Sequence, residues 1–246
     1  SKIKKIALLG PNANNGTTQL GNYNGIPSKN ATLLDALRAE KGIEVVYDSI
    51  SDFITLQPGI DLQHYAEKYK DVDLIIYAGG ISALLEGEEG DTGNVEGFYR
   101  GDRTTINLPA VQTQVMQMLQ KSGKPMIFIC MSGSAIAFNW ESQHIPAIIQ
   151  AWYGGQAAGT ALADILFGRY NPSGKLPITF YRSDSDLPAI EDYSMKNRTY
   201  RYFNGDVLYP FGYGLSFTKF KFKKLNVPQE VQIGDTINIS TEVVNT

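Results

Sequence analysis

Cysteine is almost missing from this chain. Cys130 stands alone among 246 residues, so no internal disulfide can form. Histidine is nearly as scarce, and with only His64 and His144 beside that one thiol a zinc site of nitrogen and sulfur ligands lacks donors. No metal and no cofactor is expected. Neither sign of charge dominates: 22 basic against 25 acidic residues leave a net −3, and no basic stripe exists to displace counterions from a phosphate backbone. Nucleic acid is therefore not an expected partner. The longest apolar stretches, around Asp73–Ala78 and Pro125–Met131, fall far short of the roughly 20 residues that a bilayer-spanning helix needs. No membrane span is expected either. What remains is an ordinary folded composition, 43% hydrophobic, which excludes disorder and fibrous architecture.

The first two thirds alternate short β-branched runs with longer helical patterns, the signature of a mostly parallel sheet covered by helices on both faces. Strands are predicted at Ile3–Leu9, Ile43–Tyr47, Asp73–Ala78, Pro125–Met131 and Ala147–Trp152. Helices are predicted at Asn30–Lys41, Asp61–Lys70 and Pro109–Ser122, and from Gly155 to Gly168. In the third, Pro109 suits the first helical position, and Val111, Val115, Met118 and Leu119 form an apolar stripe. After Gly168 the chain turns polar, aromatic and turn-rich without a period. From Phe217 the run Phe-Thr-Lys-Phe-Lys-Phe-Lys alternates at period two. These shifts place a boundary near Ser216, giving an α/β domain over 1–216 and the first strands of a truncated β-sandwich over 217–246. Both ends look cut rather than natural, and the expectation is a fragment of a longer protein.

Three stretches compete as carriers of chemistry. Gly10-Pro-Asn-Ala-Asn-Asn-Gly16 follows the first strand, where a phosphate loop would sit, but it lacks the G-x-G-x-x-G spacing and Pro11 removes a backbone donor. Cys130-Met-Ser-Gly-Ser134 follows a buried strand like a nucleophile elbow, without the G-x-S-x-G pattern. The third is Leu85-Glu-Gly-Glu-Glu-Gly-Asp91, which leads through a glycine-rich loop to Gly101-Asp-Arg103. Three glutamates and an aspartate crowd within six residues, after a strand ending near Gly79-Gly80, where ligands bind in open α/β sheets. Mutual repulsion raises the proton affinity of at least one of them, as a general acid requires, while Arg103 can hold another ionised. A solvated acidic loop is the competing reading; a calcium loop is not, because the D-x-D-x-D-G spacing is missing.

Seven motifs then carry a resemblance. Gly10-Pro-Asn-Ala-Asn, Gly21-Asn-Tyr-Asn-Gly-Ile-Pro27, Leu85-Glu-Gly-Glu-Glu89, Gly101-Asp-Arg103 with Leu108-Pro-Ala-Val-Gln112, Ala151-Trp-Tyr-Gly-Gly-Gln156, Asn171-Pro-Ser-Gly-Lys-Leu-Pro177 and Tyr209-Pro-Phe-Gly-Tyr-Gly-Leu-Ser-Phe-Thr218 stand in one order across nearly the whole chain. In that order they resemble the carboxyl-terminal α/β sandwich domain of glycoside hydrolase family 3. The tail after Ser216 is similar to the start of the family's fibronectin type III-like domain.

The resemblance implies a retaining, exo-acting β-glycosidase working through two carboxylates. It puts the aspartate nucleophile on an amino-terminal TIM-like barrel outside this chain, which becomes a partner within the same protein. It puts the acid/base on Glu88, the second glutamate of Glu86-Gly-Glu88, with Glu89 and Glu86 as alternatives because Gly90 to Gly101 separate the acid from Asp102-Arg103. Asp102, Arg103 and Trp152 are read as substrate-binding or loop-supporting residues. The substrate class it implies is an oligosaccharide or aryl glycoside, with the xylosidase and arabinosidase branch favoured by Gly21–Pro27 and the Glu-x-Glu form. A β-glucosidase and a noncatalytic carbohydrate-binding or interdomain module are the alternatives. A secreted or periplasmic location follows from the resemblance alone.

Overall fold

A computed structural model describes residues 2–87 and 94–246. In chain order its elements are β1 (Lys5–Leu9), α1 (Gly16–Leu20), α2 (Leu33–Arg38), β2 (Glu44–Asp48), α3 (Leu62–Lys68), β3 (Leu74–Gly80), β4 (Phe98–Tyr99), β5 (Asp102–Arg103), α4 (Ala110–Gln120), β6 (Met126–Met131), α5 (Asn139–His144), β7 (Ala147–Gln150), α6 (Ala158–Leu166), α7 (Thr199–Tyr202), β8 (Phe220–Asn226) and β9 (Ser240–Asn245). Five strands form one parallel sheet in the order β2-β1-β3-β6-β7.

Side-chain alternation splits the apolar residues of that sheet into two cores. On one face Ala7, Leu9, Ile75, Tyr77, Phe128 and Cys130 join Val115, Met116 and Leu119 of α4. On the other Ile6, Leu8, Ile76, Ala78, Ile129 and Met131 join Leu33, Leu34 and Leu37 of α2 and Leu162 of α6. Most are fully buried, and each buried side chain of this size contributes on the order of 1.5–3 kcal/mol. The sheet is thus covered on both faces, as the alternating pattern predicts.

Local signals fix the helix starts. Thr32 caps α2 by accepting from the Asp35 N–H, while Asp35 accepts in return from the Thr32 N–H. Asn15 caps α1 and Asp61 caps α3. Pro109 stands one position earlier than predicted, as the residue before α4, with Ala110 opening the helix. Three short helices, α1, α5 and the four-residue α7, were not predicted. α1 lies inside a glycine- and asparagine-rich stretch, and α5 offers one apolar side chain, Trp140, in six residues. Residues past Phe217 form β8 and β9, an antiparallel ribbon whose Phe220, Phe222 and Val243 are exposed.

Candidate active site

The strand order reverses between β1 and β3, and the crevice outside the carboxyl ends of strands at such a switch point is where open α/β sheets bind ligands. Asn12, after β1, closes that gap from one side. Its side-chain amide donates to the carbonyls of Gly79 (3.0 Å) and Ile81 (3.3 Å), and its own N–H to Ala78 (3.0 Å). From the other side Gln112 of α4, fully buried, takes the place of a sheet neighbour. Its Oε1 accepts from the Gly80 N–H at 2.8 Å, and its Nε2 donates to the carbonyls of Gly80 at 2.7 Å and Phe53 at 2.9 Å. Gly80 itself has φ +108°, and a Cβ there would stand 2.0 Å from the Met131 carbonyl oxygen, so no other residue fits where β3 hands over to the acidic stretch.

Glu86 is the first glutamate of that stretch. Ser134 Oγ donates to its Oε1, while the Gly133 N–H (3.2 Å) and the Tyr153 hydroxyl (2.8 Å) donate to its Oε2. Its carbonyl accepts from the Asn22 side chain at 3.3 Å. Burial, with the Glu86 charge next, pushes the Tyr153 phenol well above its usual range, so the hydroxyl stays a donor. Gly133 is required by close approach: a Cβ there would lie 2.9 Å from the Tyr153 ring and 3.1 Å from Glu86 Oε2.

Arg103 reaches the same turn from the far side. Its Nη1 donates to Ser134 Oγ at 2.9 Å and to the Ala135 carbonyl at 2.8 Å. Burial pulls this guanidinium below its ordinary range and the neighbouring Glu86 carboxylate opposes that pull. Ser134 thereby accepts from Arg103 and donates to Glu86 with a single hydroxyl. The backbone repeats the stitch: the Ala137 N–H donates to Ile106 at 2.8 Å and the Leu108 N–H to Ala137 at 3.1 Å.

The other residues singled out by the sequence separate into distinct places. Glu88 and Glu89 lie outside the described residues. Asp102 precedes Arg103 on β5 and points to the opposite, exposed side. Trp152 holds a left-handed backbone at φ +55°, uncommon for a bulky residue, and its ring packs edge-on against Phe180 at 6.0 Å. Tyr153, not Trp152, is the aromatic residue that meets Glu86. Cys130 is fully buried, and burial pushes its thiol up to about 12, which leaves no thiolate nucleophile. His144 caps the opposite end of the domain, stacked on Trp140 at 4.7 Å, and His64 pairs with Asp61 on the exposed start of α3. Among the described residues no three His, Cys, Asp or Glu side chains gather as a metal site, and no helix is long and apolar enough to cross a membrane. Sequence reasoning quoted Gln112, Gly133 and Ser134 within motifs but missed their roles. The small residues after β6 were the trace of Gly133 and Ser134, and the Leu108-Pro-Ala-Val-Gln112 motif that of Gln112.

Comparison with known proteins bears on family and fold. The model of the glycosyl hydrolase family 3 C-terminal domain matches residues 1–217. A xylan 1,4-β-xylosidase of Xylanibacter ruminicola is 44% identical over 240 residues, which cover 94% of this chain and 28% of that protein. A periplasmic β-glucosidase of Salmonella typhimurium is 30% identical, over the whole chain and 34% of its own length. The solved structure of a family 3 exo-β-xylosidase with a xylobiose aziridine probe superposes with a TM-score of 0.76 at 28% identity, covering 91% of this chain and 29% of that one. The β-glucosidase of Listeria innocua with isofagomine does so with 0.77 at 26% identity, over the whole chain and 34% of its own. The chain thus spans about a third of the length of the relatives it matches.

Proposed function

Because this chain belongs to glycosyl hydrolase family 3 as a C-terminal domain, we propose that it supplies the general acid/base of a retaining, exo-acting β-glycosidase that releases terminal xylose. In this reading Glu88 protonates the leaving oxygen and then activates the water that hydrolyses the glycosyl-enzyme intermediate. The aspartate nucleophile belongs to an amino-terminal barrel outside these residues, and the substrate is an oligosaccharide or aryl glycoside bound between the two domains. The observation that carries the reading is positional. The acidic run Leu85–Asp91 begins where β3 opens into the switch-point crevice, and Glu86 and Arg103, which flank the stretch, are both tied to the turn after β6.

Xylose is favoured by the 44% identity to a protein named as a xylan 1,4-β-xylosidase; arabinosidase activity would accompany it. Relatives named as β-glucosidases share the fold, so glucosides belong in the assay. Trp152, packed on Phe180, serves as a support for the Tyr153 turn, and Asp102 lies exposed at the end of the loop. The ribbon of β8 and β9 is read as the opening of a fibronectin type III-like domain, with the boundary near Ser216. A secreted or periplasmic location fits the relative named as periplasmic.

The test is Glu88→Ala in the full-length enzyme, assayed on aryl xylosides and glucosides with good and poor leaving groups. Activity on poor leaving groups should fall about 10²–10⁴-fold, with a milder loss on activated ones and rescue by azide to a glycosyl azide of retained configuration. The isolated 246-residue chain should turn over nothing. Wild-type rates for Glu88→Ala on every substrate, or steady turnover by the isolated chain, would refute the reading.

A further inference from the structure

Glu86 and Arg103 flank the acidic stretch in sequence, and both end on one hydroxyl, that of Ser134. The partners are distant in sequence: Ser134 follows Glu86 by 48 positions and Arg103 by 31, and Tyr153 follows Glu86 by 67. A carboxyl that hands over a proton must turn one oxygen towards the leaving group. Glu86 has none to spare, because Oε1 accepts from Ser134 and Oε2 from both Gly133 and Tyr153. All of these groups sit on the rigid carboxyl edge of β6 and β7 or in the turns that follow.

We infer that Glu86, Ser134, Tyr153 and Arg103 form a clamp that positions the proton donor: Ser134 joins the two residues that flank the acid-bearing stretch, and Glu86 is a positioning residue, not itself the acid. This rests on the reading that the loop after Glu86 carries the general acid/base. A clamp of this kind matters because misplacement of a proton donor by about 1 Å costs on the order of 10²-fold in rate. It acts most where protonation is most needed, on substrates with basic leaving groups.

The experiment uses the full-length enzyme with Glu86→Gln, Ser134→Ala and Ser134→Thr, run beside Glu88→Ala. Leaving-group dependence, pH profiles of kcat/KM, azide response and thermal midpoints are measured for each. Glu86→Gln and Ser134→Ala should lose about 10- to 100-fold in kcat on poor leaving groups and much less on activated ones, with KM nearly unchanged. Their pH profiles should keep the basic limb, since the donor is still present, and azide should yield no glycosyl azide. Ser134→Thr, which retains the hydroxyl, should recover most of the rate. The double variant Glu86→Gln/Ser134→Ala should be no slower than the slower single one, because one clamp is broken either way.

A flattened basic limb with azide rescue in Glu86→Gln would make Glu86 the acid and overturn the inference. Wild-type rates on poor leaving groups in both Glu86→Gln and Ser134→Ala would overturn it too. So would losses equal across all leaving groups and matched by a lowered thermal midpoint, since those mark a merely structural role. Failure of the underlying reading looks different: Glu88→Ala then behaves as wild type, or the wild-type enzyme cleaves no glycoside.

Discussion

Gln112 offers the sharpest quantitative test of how the site is built. Replacing it with Met keeps length and volume but removes every hydrogen bond it makes to the Gly80 N–H and to the carbonyls of Gly80 and Phe53. The Gly80 N–H is buried and loses its partner outright, which costs about 1–3 kcal/mol, while the two carbonyls, each with a second lone pair, lose less. Together the change should destabilise the chain by about 3–4 kcal/mol. For a chain of this size that lowers Tm by about 10 °C. Equilibrium urea unfolding, followed by the fluorescence of Trp140 and Trp152, gives the value from a shift in midpoint at constant slope. Gln120→Met is the control: Gln120 lies at the exposed end of the same helix, with only a 3.4 Å contact to the His144 carbonyl, and should change stability by less than about 0.5 kcal/mol. A loss below about 1 kcal/mol for Gln112→Met would refute the reasoning, because it would mean that water or the neighbouring strands satisfy Gly80 without the side chain.

Two further outcomes follow from buried groups. Glu141 is buried in α5, where its carboxylate accepts from Thr113 Oγ1 at 2.5 Å, and burial raises its proton affinity above that of an ordinary carboxyl. A raised folded-state pKa means stability that is full below the unfolded value, about 4.3, and lost as pH rises through the folded one. Glu141→Gln keeps the acceptor without the charge, so it should be more stable than wild type at pH 7 with the difference closing towards pH 4; thermal scans across that range refute the idea if the gap widens on acidification. Gly80→Ala places a Cβ 2.0 Å from the Met131 carbonyl oxygen at φ +108°, and should cost more than about 4 kcal/mol, read as loss of soluble folded chain.

Much of the scaffold was legible in the residues. The five sheet strands fall within two residues of the β-branched runs that predict them; the central β1, β3 and β6, buried on both faces, are the most continuously apolar. α2, α3, α4 and α6 show in their apolar spacing and caps, and the ordered motifs carry the family. α1, α5 and α7 were not legible, since helices of four to six residues are held by what surrounds them and not by a period of their own.

The candidate site divides in the same way. Composition placed an acidic loop after the third sheet strand, and the strand order put its start at the switch point. That Glu86 is tied could not be read along the chain, because Glu86, Ser134 and Tyr153 are brought together only by β3, β6 and β7 lying side by side in register. Sequence alone determined the layers and the family. Tertiary structure decided the partners, because hydrogen bonds between residues far apart in the chain depend on strand order and register, which no local pattern encodes.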